Sequence, residues 1–149
     1  GAVFMSLPPN IERFNQNAAK IFSLLYESFP VPRSIGIGEI DIDAELSEAT
    51  GELTPAGEVA HATFIWLEGS GYITFRKNME VLFTDCVLTA KGLEVLNAIP
   101  SSLSTSQTAG EFVSKAVKAG AAESVSSAVK FILAKGIEYV PLVINTVSN

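Results

Sequence analysis

A chain of 149 residues is long enough to bury one ordinary core, and a composition of 48% hydrophobic and 17% charged residues excludes intrinsic disorder. Every apolar stretch is broken by Lys, Glu or Ser before it reaches the roughly 20 residues a bilayer crossing needs, so no membrane span is expected. The net charge of −6 is concentrated in residues 1–100, where thirteen acids face six bases; this weighs against a nucleic-acid surface, because Lys and Arg on phosphate supply most non-specific affinity.

Ile11, Phe14, Ala18, Ile21, Phe22, Leu25 and Phe29 recur at spacings of three and four. They predict an amphipathic helix, capped by Asn10 and stopped before Pro30. A loop of about ten residues carrying Gly36 and Gly38 is expected next. Asp41 or Asp43 then caps a short helix through Ala49, closed by Gly51, with acids in the first turn suiting the helix dipole. Thr54 before Pro55 starts a third helix that runs to Glu68. Gly69-Ser70-Gly71 breaks it; residues 72–75 read as a strand, 76–80 as a polar hairpin tip and 81–88 as the returning strand. Thr89 caps a helix over residues 90–97, and Pro100 closes it. Residues 101–108, rich in Ser and Thr, read as a linker. From Ala109 to Leu133 apolar residues keep helical spacing across Gly120, predicting one long helix or two in succession that end by Pro141, followed by an apolar tail over 142–149.

Chemistry-bearing constellations are scarce. His61 is the only histidine and Cys86 the only cysteine, so a tetrahedral zinc site would need carboxylates from elsewhere, and no disulfide forms within one chain. Cys86 reads as a small core residue in a strand. Gly69-Ser70-Gly71 is not a hydrolase elbow, and Gly36-Ile37-Gly38 lacks the third glycine of a dinucleotide turn. Asp41, Asp43, Glu45 and Glu52 match positions of a calcium loop, but Leu46 stands where that loop requires glycine. No catalytic residue, metal or cofactor is expected. Residues 1–6 lack the basic flank and long apolar centre of a signal peptide, and a cytoplasmic location is expected.

Helix, short helix, helix, β-hairpin and helix is the order of a winged helix-turn-helix domain. Glu58-Val59 through Leu67-Glu68-Gly69-Ser70-Gly71-Tyr72-Ile73 resembles the end of a recognition helix and the start of a wing. Val87-Leu88-Thr89-Ala90-Lys91-Gly92-Leu93 resembles the turn after the wing in the MarR, PadR and related regulator families. The resemblance implies a fold that is α+β and mainly α: a winged-helix domain over residues 10–100, the linker over 101–108, and a C-terminal helical segment over 109–141 used for packing or dimerisation. It also implies a non-enzymatic DNA-binding transcriptional regulator, homo-oligomeric through the C-terminal helix.

In helix-turn-helix readers, side chains near the start of the third helix reach base edges. With Ala60, Thr63, Phe64 and Leu67 facing inward, Gly57, Glu58, His61, Ala62 and Ile65 face outward. No Arg, Lys, Asn or Gln lies between Thr54 and Glu68, so Glu58 and His61 are the candidate base contacts, and Arg76 and Lys77 at the hairpin tip are the candidate phosphate contacts. Phe64-Ile65-Trp66-Leu67 covers every side of one helical turn, so something must cover the outer side at Ile65 and Trp66: the C-terminal helix within the chain, a second protomer or another protein. An acidic winged-helix protein-interaction module that does not bind DNA, with a protein partner on Ile65 and Trp66, is the competing expectation. Lys115, Lys118, Lys130 and Lys135 recur along the C-terminal segment, but a membrane-surface helix would demand a more strongly polar face.

Overall fold

Helix α1 (Pro9–Ser28) begins with proline in its first turn, where the missing N–H has no intrahelical acceptor to lose. The expected cap, Asn10, therefore lies inside the helix; Pro8 holds the cap position without a side-chain bond. The apolar spacing buries Ala18, Ile21, Phe22 and Leu25, whereas Phe14 is half-buried and Ile11 remains 40% exposed. The structure, a computed structural model, describes residues 7–101 and 106–141. The tail over 142–149 and part of the expected linker over 101–108 lie outside the described residues.

Instead of the expected loop, α1 leads into strand β1 (Arg33–Gly36) and a one-turn helix α2 (Ile37–Ile40), which bury Ile35, Ile37 and Ile40. The short helix expected from Asp41 or Asp43 to Ala49 does not form. Local side chains take its backbone donors: Asp43 N donates to Asp41 Oδ1, Ala49 N to Ser47 Oγ and Glu52 N to Thr50 Oγ1. An isolated antiparallel bridge joins Leu46 to Leu53. Such Asp, Ser and Thr turns compete directly with helical hydrogen bonding.

Thr54 closes this segment and opens helix α3 (Pro55–Gly69): its hydroxyl donates to Asp43 O and accepts from Gly57 N. Ala56, Gly57, Ala60, Thr63, Phe64 and Leu67 are buried. Gly57 was expected outward, but a β-carbon there would press on Glu45 O at 3.1 Å and Leu53 Cδ2 at 3.2 Å. After α3 the chain reverses at Gly71, whose φ of +84° favours glycine.

Strands β2 (Ile73–Thr74), β3 (Lys77–Asn78) and β4 (Leu82–Leu88) follow. β4 is central: β1 pairs along one edge, while β2 and β3 lie end to end along the other, all antiparallel. Arg33 faces Cys86 but Ile35 faces Phe83, so two steps along β1 match three along β4. The extra residue is a β-bulge that includes Asp85 at φ +51°. It resets the alternation of β4, so that Phe83, Cys86 and Leu88 all point inward. The turn itself is Met79-Glu80-Val81, with Met79 N donating to Leu82 O. Arg76 and Lys77, expected at the tip, therefore lie along the ribbon: Arg76 N donates to Thr84 O and Lys77 N to Thr84 Oγ1.

Thr89 caps α4 (Ala90–Asn97) as the sequence predicts, and the C-terminal segment is two helices, α5 (Ala109–Ala119) and α6 (Ala122–Glu138), separated at Gly120 with φ +65°. Both pack on α1, and Val113, Ala116, Val125, Ala128, Val129 and Ile132 enter the same core as Phe22, Phe64 and Phe83. Ser23 Oγ donates to Ser114 Oγ (3.1 Å), Lys118 pairs with Glu27 (2.8 Å), and the Tyr26 hydroxyl reaches Asn97 Oδ1 and Thr108 Oγ1. Tyr72 joins the ribbon to α6: its ring meets Phe22 edge-on, its hydroxyl donates to Leu133 O (3.4 Å), and a β-carbon at Gly136 would overlap that hydroxyl. The architecture is α+β and mainly helical, with a small antiparallel sheet.

Candidate functional site

Helix α3 is the wall between two open depressions, and the six sequence-predicted site residues distribute unevenly around them. On one flank Glu58 and His61 line a polar depression of about 710 Å³, completed by Gly51, Glu52 and Leu53 from the preceding segment and by Asn78 and Glu80 from the ribbon. On the other flank Val59, Ala62, Thr63 and Trp66 face Asn10, Ile11 and Phe14 of α1 across an apolar groove of about 470 Å³. Arg76, Lys77 and Ile65 are exposed but line neither one.

In the polar depression the candidate base-reading histidine is already engaged. His61 Nε2 lies 3.0 Å from Asn78 Oδ1, which also accepts from Glu80 N, and the His61 ring packs 5.3 Å from Phe83, itself stacked on Phe64. Asparagine at 78 thus ties α3 to the ribbon through a side chain that a base edge would need free. Arg76, expected with Lys77 at the hairpin tip, pairs with Asp85 at 3.8 Å, both well exposed, so part of its charge is offset by a neighbouring carboxylate. Glu52, Glu58 and Glu80 are exposed, and among the described residues none of them enters an ion pair. Carboxylates clustered without cations would repel a phosphate backbone.

The apolar groove exists because α3 spends its buried face on Phe64 and Leu67, leaving the next residues of the same turn on the rim. Trp66 is 46% and Ile65 42% exposed. The Trp66 indole is fixed rather than loose: Phe14 meets it edge-on at 5.3 Å, and Tyr72 stacks behind it at 6.3 Å. Lys91 holds Tyr72 in turn, 4.5 Å over its ring, while donating to Ser70 O. Apart from Trp66, the groove residues Asn10, Ile11, Phe14, Val59, Ala62 and Thr63 are not candidate site residues in the sequence, nor are Glu52, Asn78 and Glu80 on the polar side. Ile11 and Phe14 belong to the regular α1 stripe and read there as core; only the way α1 meets α3 leaves them at a surface.

Cys86 is fully buried in β4, and burial foremost pushes its thiol from 9.0 up to about 11, so it is not a thiolate at neutral pH. Among the described residues no three His, Cys, Asp or Glu side chains converge to hold a metal ion. No helix among the described residues is long and apolar enough to cross a membrane. Comparison with protein-family models, with curated proteins and with solved structures yields no match for this chain.

Proposed function

We propose that the chain is a non-enzymatic winged-helix protein that acts as a protein-interaction module, with its docking face on the outer side of α3. The succession of helix, short helix, helix and ribbon over residues 10–100 supports the winged-helix reading, with α2 standing as a single turn in the second-helix place. The observation that carries the function is the outer face of α3, which presents a half-exposed Trp66 beside an apolar groove where a DNA reader would present Arg, Lys, Asn or Gln. A groove this open cannot enclose a small molecule, since ligand pockets bury most of their occupant's surface. It suits instead a side-chain stripe on another polypeptide.

The contrary reading, a DNA-binding regulator using Glu58, His61, Arg76 and Lys77, would need His61 freed from Asn78 and would set Arg76 beside the Asp85 carboxylate. Fluorescence anisotropy with a labelled mixed-sequence duplex at low salt tests the choice. No binding is expected at about 10 µM protein, where even non-specific DNA binders associate. Micromolar binding that weakens with salt, and weakens again in Arg76→Ala and Lys77→Ala, would replace the proposal with the regulator. The homo-oligomer expected through the C-terminal helices has its apolar stripe already occupied within the chain by α1. Sedimentation of the full chain is expected to give a monomer at micromolar concentration.

A further inference from the structure

Resting on that reading, we infer that the partner is a basic amphipathic helix, whose apolar stripe seats in the α1/α3 groove and whose Lys or Arg flank lies against Glu52, Glu58 and Glu80. The two depressions are not separate sites. Consecutive residues of α3 belong to each of them in turn, Glu58 to the polar one and Val59 to the apolar one, His61 to the first and Ala62 to the second. They are thus separated by no more than the width of one helix, roughly 10 Å with side chains. A single helix laid over α3 reaches both.

Charge complementarity selects the sign of the partner. The rim on the polar side holds three exposed carboxylates outside any ion pair among the described residues, and α3 itself carries no Lys or Arg. On the groove side the wall contributed by α1 is uncharged at Asn10, Ile11 and Phe14, and the neighbouring Arg13 is drawn to Asp41 at 3.6 Å. An acidic or neutral stripe would meet repulsion or nothing along the Glu52, Glu58 and Glu80 rim. A basic stripe gains steering toward the face and a fixed register once there. Val59, Ala62 and Trp66 on one wall and Ile11 and Phe14 on the other supply the apolar contact, spaced along helices as the anchors of an incoming helix are spaced.

Trp66 is the only tryptophan, so its emission reports the groove without a label. The probe is a Leu/Lys amphipathic helical peptide of about 18 residues, compared with the same peptide in which every Lys is Glu. With the full chain, the Leu/Lys peptide is expected to shift Trp66 emission to the blue and to saturate, while the Leu/Glu peptide binds at least about 10-fold more weakly. Neutral obstruction on either wall, Ala62→Gln or Ile11→Gln, is expected to weaken the Leu/Lys peptide about fivefold or more, with unchanged circular dichroism. Both positions are exposed, so the fold does not depend on either. Glu52→Lys with Glu58→Lys is expected to weaken it by about 3- to 10-fold.

Equal binding of both peptides with a blue shift would overturn the basic-partner inference and leave the docking reading standing. No shift with either peptide, or binding indifferent to both Gln variants, would overturn the groove as the seat. A shift of Trp66 caused by duplex DNA would overturn the functional reading itself.

Discussion

Helix α1 presents apolar side chains to α5 and α6 on one side and to α3 on another, and the chain treats the two sides differently. Toward α5 and α6 the contact is closed: Ile21, Phe22 and Leu25 are fully buried, Gly110 of α5 leaves room for the Tyr26 ring of α1, and Gly136 of α6 leaves room for the Tyr72 ring of the ribbon, which packs on Phe22. Toward the middle and end of α3 the contact is open: Ile11 and Trp66 keep 40% and 46% of their surface, and Phe14 beside Ile11 is half-buried. Residue type does not separate the two sides, since both are built from Ile, Phe and a large aromatic. Coverage does, because the closed side has two helices of its own chain to complete it and the open side has none. The same apolar pattern therefore means stability on one side and availability on the other.

Substitutions across the two sides should separate these roles. The largest effect is expected for Phe22→Ala on the closed side, a loss of about 3 to 5 kcal/mol in urea unfolding, because its place among fully buried neighbours cannot collapse. A loss below about 1 kcal/mol would mean the closed side is not closed. Gly136→Val comes next, at about 1 to 3 kcal/mol, since α6 must lift from the Tyr72 hydroxyl. Pairing it with Tyr72→Phe should return part of that loss; an additive double variant would show that the overlap is not what strains α6.

A third measurement uses pH. Cys86 is protonated in the fold up to about 11 but titrates from 9.0 when unfolded, and burial raises the Tyr72 phenol in the same direction. Between these limits the unfolded state binds fewer protons, so stability is fully present below pH 9 and declines as pH rises toward 11. Cys86→Ala should flatten that decline. The smallest effect belongs to the open side: Trp66→Ala is expected to cost at most about 1.5 kcal/mol, the worth of its aromatic contacts. A loss as large as that of Phe22→Ala would make Trp66 a core residue and remove the contrast.

What the sequence makes legible follows how local each signal is. The stripe of α1, the threonine caps of α3 and α4, the reversal at Gly71 and the interruption at Gly120 are all set by residues within a turn or two of the feature. β1 is not: its four residues bury only Ile35, and its partner strand lies some fifty residues away. The acids around 41–52 suit a capped helix equally well on paper, and the turn prevails because Thr54 reaches back to Asp43 and Glu45. At the site, the exposure of Ile65 and Trp66 can be read from four consecutive large apolar residues on a helix. The groove cannot, because Ile11 and Phe14 become a wall only through the packing of two helices that sit far apart in sequence.

The bulge at Asp85 carries a hereditary consequence. Because the surplus residue is absorbed by the bulge, a single-codon deletion of Asp85 would straighten the ribbon without changing which way the first half of β4 faces. With Asp85 gone, Cys86, Thr84 and Phe83 would stand opposite Arg33, Ser34 and Ile35 in plain alternation, and Phe83 would keep its place against the Phe64 and His61 rings. Identity at that point is thus under tighter constraint than length: φ of +51° suits Gly, Asn or Asp and penalises branched side chains, so descendants of this chain can lose the residue at 85 more readily than they can replace it with valine or isoleucine.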